Sequence, residues 1–183
     1  DGNIHNALHI DNPLLNLNTV EKQNTYGDLL VDDNGYIWMI SNFETAGGLV
    51  VYNFNNTPEI TADDQYRVLR TGENFGNLPS NNVLCIAKDK DNEIWVGTGN
   101  GIAVVNCGTS IFEGCNAYLP KVQEDEFAGH FFQDQMVTAI AVDGANRKWI
   151  GTQGGGVWLV SETGDETIFQ FNTNNSPLPS NNI

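Results

Sequence analysis

Along residues 137–161, VTAIAVDGANRKWIGTQGGGVWLVS, apolar and polar positions follow a fixed order. An alternating apolar run meets an Asp-containing turn, then a short run centred on Trp149, a Gly-rich polar turn and a third apolar run. The same order recurs in 83–106, VLCIAKDKDNEIWVGTGNGIAVVN, and in 26–53, YGDLLVDDNGYIWMISNFETAGGLVVYN. Each copy predicts three short strands joined as a meander. Its turns, Asp32-Asp33-Asn34-Gly35, Asp89-Lys90-Asp91-Asn92 and Asp143-Gly144-Ala145-Asn146, carry residues that accept positive φ or bond their own backbone. A fourth strand is expected beyond each meander: at 66–69 in the first copy, beginning at 117–122 in the second, and at 167–171 in the third.

Trp38, Trp95 and Trp149 recur about 55 residues apart. Ile86 and Trp95 have apolar neighbours in Leu84, Ala87, Ile94 and Val96, so both faces of those strands are buried. A repeat of this length with buried strands predicts an all-β chain. It forms part of a β-propeller: about three four-stranded antiparallel blades of a larger ring, of about seven blades. The expected units are 1–25, a lead-in or the outer strand of a preceding blade; 26–80, the blade with Trp38; 81–135, the blade with Trp95 and an insert at 107–135; and 136–175, the blade with Trp149. Residues 176–183 begin a next blade, because LPSNNI at 178–183 matches LPSNNV at 78–83. The chain is therefore expected to be an excerpt, with the remaining blades of its own propeller as first partner.

Charge narrows the function. The formal net charge is −15, with 8 Lys plus Arg. Phosphate neutralisation needs clustered cations, so nucleic acid is not expected as a partner. No apolar run reaches the roughly 20 residues of a membrane span. Gly-rich phosphate loops, G-x-S-x-G, HExxH and paired CxxC are absent from the sequence, and no enzyme or cofactor is expected. Gly154-Gly155-Gly156 reads as a hairpin turn rather than an anion cradle, since no helix follows it. His5 and His9 have metal-ligand spacing only on a helix, which Gly2 and Pro13 disfavour. His130-Phe131-Phe132 reads as packed core. Asp89, Asp91 and Glu93 alternate like the opening of a calcium loop but lack its later Gly and Glu, so they are a weak candidate. Cys85 reads as a small buried hydrophobe. Cys107 and Cys115 flank a Gly-containing loop; a disulfide and two free thiols both fit.

Topology predicts a binding face. The loop before the first strand and the loop after the second lie at one end of each blade. That end gathers Asn42, Phe43, Glu44, Asn81, Asn82, Thr98, Asn100, Thr152 and Gln153. Asn81 and Asn82 have a competing role as caps of the crossing loop.

Residues 78–101 resemble the two-component-regulator propeller repeat, LPSNN-V-x-x-I-x-x-D-x-x-G-x-x-W-x-G-T-x-x-G, with Asn92 near the usual turn Gly. The third copy lacks the Leu-Pro lead, and the first has Met39-Ile40-Ser41 after its Trp. A narrower resemblance, carried by 116–120, 137–152, 155–161 and 175–178, is to PorZ-type proteins of the type IX secretion system of Bacteroidetes. That resemblance implies an exported, non-enzymatic propeller protein of the periplasm or outer-membrane surface. It also implies other secretion or surface-attachment proteins as partners, and anionic lipopolysaccharide as ligand. The broader repeat implies an alternative, the periplasmic sensor of a hybrid two-component system with an oligosaccharide signal. A polysaccharide lyase or hydrolase is a third and weaker reading.

Overall fold

The structure, a computed structural model, describes residues 26–41, 47–124 and 127–183. Three antiparallel sheets follow one another along the chain. The first contains β1 (Tyr26–Val31), β2 (Ile37–Ser41), β3 (Gly48–Asn53) and β4 (Gln65–Leu69), in that order. The second contains β5 (Val83–Lys88), β6 (Ile94–Thr98) and β7 (Gly101–Val105). A two-stranded hairpin follows, β8 (Lys121–Glu124) and β9 (Phe127–His130). The third sheet is β10 (Val137–Val142), β11 (Lys148–Thr152), β12 (Gly156–Val160) and β13 (Thr167–Phe171). Helix among the described residues is confined to 3-10 turns at Thr61–Asp63 and Gly108–Glu113.

The second sheet departs from the expected four strands. Its outer position holds a single antiparallel bridge, Val104 to Tyr118, instead of a strand beginning at 117–122. Gly108 and Gly114 have positive φ, and the disulfide between Cys107 and Cys115 pins the intervening 3-10 turn. The chain therefore reaches Tyr118 from a compact loop, touches β7 once, and turns away at Pro120 into the separate hairpin.

The register shows what the repeat means. Trp38 pairs with Leu30 and Val51, Trp95 with Ala87 and Val104, and Trp149 with Ala141 and Leu159. Each Trp thus holds the same place in its second strand. Trp38, Ile40, Leu49 and Val51 face the second sheet and pack against Ile86, Ile94, Val96 and Val105. With period two, the opposite face of the second sheet offers Cys85, Trp95, Ile102 and Val104 to Val137, Ile150 and Val160 of the third. Trp38 and Trp95 are 3% and 0% exposed, whereas Trp149, on the far face of the third sheet, is half-buried and stacked on Phe171.

Small residues set the spacing between sheets. A Cβ on Gly97 would lie 2.8 Å from a Val137 methyl, so this glycine is the seat on which the first residue of β10 rests. Gly151 receives Ile183 in the same way, with 2.7 Å to its side chain.

Candidate functional site

Each strand-one to strand-two turn is built on one aspartate. Asp32 Oδ1 accepts from the backbone N–H groups of Asn34 and Tyr36, and its Oδ2 accepts from Trp38 Nε1 at 3.0 Å. Asp89 does the same with Asp91, Glu93 and Trp95, and Asp143 with Ala145, Arg147 and Trp149. The turns are also tied between sheets. Asn92, at φ 63°, accepts from Asp33 N at 2.8 Å, and Asn146, at φ 61°, accepts from Lys90 N at 3.0 Å. Gly35 takes the equivalent left-handed place in the first copy.

Lys148 adds a charge to one of these joints. It is 0% exposed, its Nζ lies 2.9 Å from Asp89 Oδ2 and 4.6 Å from the Trp95 ring centroid, and it also donates to Glu162 O. Burial alone would push the Asp89 carboxyl up, but bonds from Lys148, Glu93 N–H and Trp95 bring it below the usual carboxylate range. In the structure the three carboxylates of the calcium candidate are each engaged by protein donors. Asp89 is taken by these donors, Asp91 accepts from Asn146 Nδ2, and Glu93 accepts from Asn106 and Tyr118. Among the described residues no group of three or more His, Cys, Asp or Glu is arranged to hold a metal ion.

The opposite end of the sheets carries the residues expected to bind. Asn42, Phe43 and Glu44 lie outside the described residues, as do His5 and His9. Asn81 Oδ1 caps Thr71 N at 2.8 Å, and Asn82 O accepts from Gly99 N. Thr98 and Thr152 are fully buried, donating to Gly101 O and Gly156 O. Asn100 and Gln153 are exposed, in neighbouring hairpin turns.

Between those two turns the structure inserts a segment that sequence reasoning assigned only to the core. After β9 the chain bends through His130 to Gln135, with Phe132 at φ 57° and Asp134 at φ 62°. An aromatic residue in the left-handed region is uncommon and marks a constrained site. The Phe132 ring stands 5.4 Å from Trp158, edge-on at 90°. This bend forms one wall of a groove of about 550 Å³, whose other wall is Gly154, Gly155, Trp158 and Gln170 of the third sheet. A smaller hollow of about 190 Å³ shares His130 and Phe131 and reaches Asn100. The volume of the larger groove falls in the range of small-molecule sites. A signal for it existed: Trp158 stands where the other copies have Val50 and Ala103.

Against this geometry, comparison with known proteins is informative. Residues 77–100 match the family described as Two component regulator propeller. The chain carries that propeller repeat. No curated protein matches in sequence. Among solved structures, PorZ, an essential bacterial surface component of the type-IX secretion system of Porphyromonas gingivalis, aligns with TM-score 0.77 and 28% identity, over 86% of this chain and 22% of that one. The extracellular domain of the putative hybrid two component system BT4673 from B. thetaiotaomicron aligns with TM-score 0.62 and 18% identity, over 88% and 20%. That of BT3049 from the same organism gives 0.60 and 22%, over 87% and 18%. The fold is part of a β-propeller, and the chain spans about a fifth of the length of these structures. No described helix is long and apolar enough to cross a membrane.

Proposed function

We propose that this chain is a non-enzymatic interaction module of an exported propeller protein, acting in surface attachment as PorZ-type proteins do and engaging lipopolysaccharide. The observation that carries the reading is the PorZ alignment, with 28% identity over 86% of this chain, against 16% to 22% for the sensor domains. The disulfide between Cys107 and Cys115 supports an oxidising compartment. Because the net charge of −15 repels an anionic ligand, a divalent cation bridges the two. The test is flotation with liposomes that contain purified lipopolysaccharide, with and without calcium. Calcium-dependent co-flotation is expected, and protein that stays at the bottom of the gradient in both arms rejects the lipopolysaccharide assignment. The second reading, an extracellular sensor of oligosaccharide, rests on the repeat match at residues 77–100 and on the BT4673 and BT3049 alignments. The complete reading frame separates the two: a sorting domain after the propeller supports attachment, and a membrane span with a histidine kinase supports sensing.

A further inference from the structure

The segment 107–118 stands where the second sheet lacks an outer strand, and its grip is directed at the first sheet. Ile111 is 0% exposed and shares a core cluster with Leu49, Leu69 and Leu78, and its 3-10 turn lies against β4. Phe112 meets the Tyr36 ring edge-on at 5.3 Å. Arg67 of β4 donates through Nη1 to Ile111 O at 2.8 Å and also to Cys115 O. Asn116 Nδ2 donates to Glu73 O, Ala117 N to Gly76 O at 2.9 Å, and Asn77 Nδ2 to Ala117 O at 3.1 Å. The segment is a strap, thrown from one sheet across the edge of the sheet before it.

Little in the strap holds its own shape. A six-residue 3-10 turn is too short to persist alone, and Cys107 at its start makes no side-chain capping bond. Gly108 and Gly114, at φ 51° and 99°, flank it with freely variable backbone. The disulfide between Cys107 and Cys115 is what joins its two ends. We propose that this disulfide is a redox latch on the joint between the first and second sheets. Oxidised, it keeps the strap seated on β4 and on the crossing loop that contains Glu73, Gly76 and Asn77. Reduced, it lets the strap lift while the three sheets keep their ladders. In the reducing step a dithiol thiolate attacks one sulfur, and a mixed disulfide forms. The second thiol of the reductant then displaces it. Two electrons pass to Cys107 and Cys115, which take up two protons as thiols, and the reductant leaves as a disulfide. Both latch cysteines are half-buried, within reach of a small dithiol. Cys85 does not compete for them. It is buried on the opposite face of the second sheet, where desolvation pushes its thiol up to about 12, so it is not a thiolate near neutral pH. The latch rests on the strap alone and holds whether the chain attaches or senses.

The experiment compares hydrogen–deuterium exchange in the oxidised chain, the chain in dithiothreitol, and the double variant Cys107→Ser with Cys115→Ser. Reduction should speed exchange about tenfold or more at Ala117 and Tyr118, whose N–H groups bond to Gly76 O and Val104 O. The third sheet should keep its protection, and reoxidation with glutathione disulfide should restore the strap. Coupling between seating and oxidation is reciprocal, so a latch must also act in reverse. Ile111→Ala, which loosens the strap without touching sulfur, should shift the thiol–disulfide equilibrium in a glutathione series toward the dithiol by about fivefold or more. If the double variant does not fold, the reduced parent chain and Ile111→Ala carry the test. Unchanged exchange in the strap, acceleration spread evenly over all three sheets, or an Ile111→Ala disulfide as hard to reduce as the parent's would overturn the latch.

Discussion

Asp89 and Lys148 form a buried ion pair whose two partners are unequally supported. Asp89 keeps bonds from two backbone N–H groups and Trp95 if the lysine is lost, whereas Lys148 without Asp89 retains only Glu162 O and the Trp95 ring. An uncompensated buried charge costs about 3–5 kcal/mol. Asp89→Ala should therefore destabilise by about that much, and Lys148→Met by distinctly less; equal losses in urea unfolding would contradict this account. Acid acts on the same carboxylates. Asp89 lies below its ordinary value, and hydrogen bonding from Arg147 foremost brings Asp143 down to about 2. A carboxyl depressed in the folded state contributes stability above its unfolded value, near 3.9, and loses it as pH falls through the folded one. Denaturant midpoints should be flat above about pH 5 and fall between about pH 4 and pH 2. The sequence made Asp32, Asp89 and Asp143 legible as turn residues. It did not reveal that each also accepts from an indole six residues later, because turn chemistry alone does not say where a Trp on the next strand points. Lys148 was illegible for another reason: a lysine flanked by Arg147 and Trp149 reads as solvated, and only the stacking of sheets buries it.

At the scale of elements, the joint between consecutive turns depends on Asn92 and Asn146, which combine a left-handed backbone with a bond to the preceding sheet. Asn92→Gly keeps the turn, as Gly35 does in the first copy, but loses the bond to Asp33 N, and should cost about 1 kcal/mol. Asn92→Ala loses the bond and forces a Cβ into the left-handed region, and should cost about 2 kcal/mol. Chemical denaturation that ranks alanine as the milder change would exclude the backbone contribution. The loop closed by Cys107 and Cys115 offers another element-level test. Closing so short a loop is worth about 2–3 kcal/mol by chain entropy. Reduction should lower stability by about that amount, and thiol titration of unfolded, unreduced protein should find only Cys85. Strand order and the equivalence of the three Trp positions were readable from period and turn residues. The fate of 117–122 was not, since its apolar residues fit a strand equally well whether they pair along β7 or meet it once at Tyr118.

For the molecule as a whole, repetition of one unit made the propeller fold legible, while the groove lay in the departures from repetition. The bend from His130 to Gln135 belongs to an insert with no counterpart in the other copies, and Trp158 replaces a small residue. Neither follows from a period. Net charge acts at this scale too: with 23 Asp plus Glu against 8 Lys plus Arg, self-repulsion opposes the compact state. The thermal midpoint should rise as sodium chloride is raised from low concentration to about 0.5 M, where screening acts within a few ångströms. A falling midpoint would mean that exposed ion pairs such as Lys88 with Asp33 outweigh the repulsion. The seat at Gly97 has a consequence of a different kind. Val137 rests on it as Ile183 rests on Gly151, so two successive joints are cut to one gauge. A unit copied by unequal recombination would arrive with its fittings already matched to whatever unit lies beside it. Novelty is then free to accumulate away from the fittings, in inserts such as the one after β7. A gene built this way can lengthen by duplication and diversify by insertion without the two processes interfering.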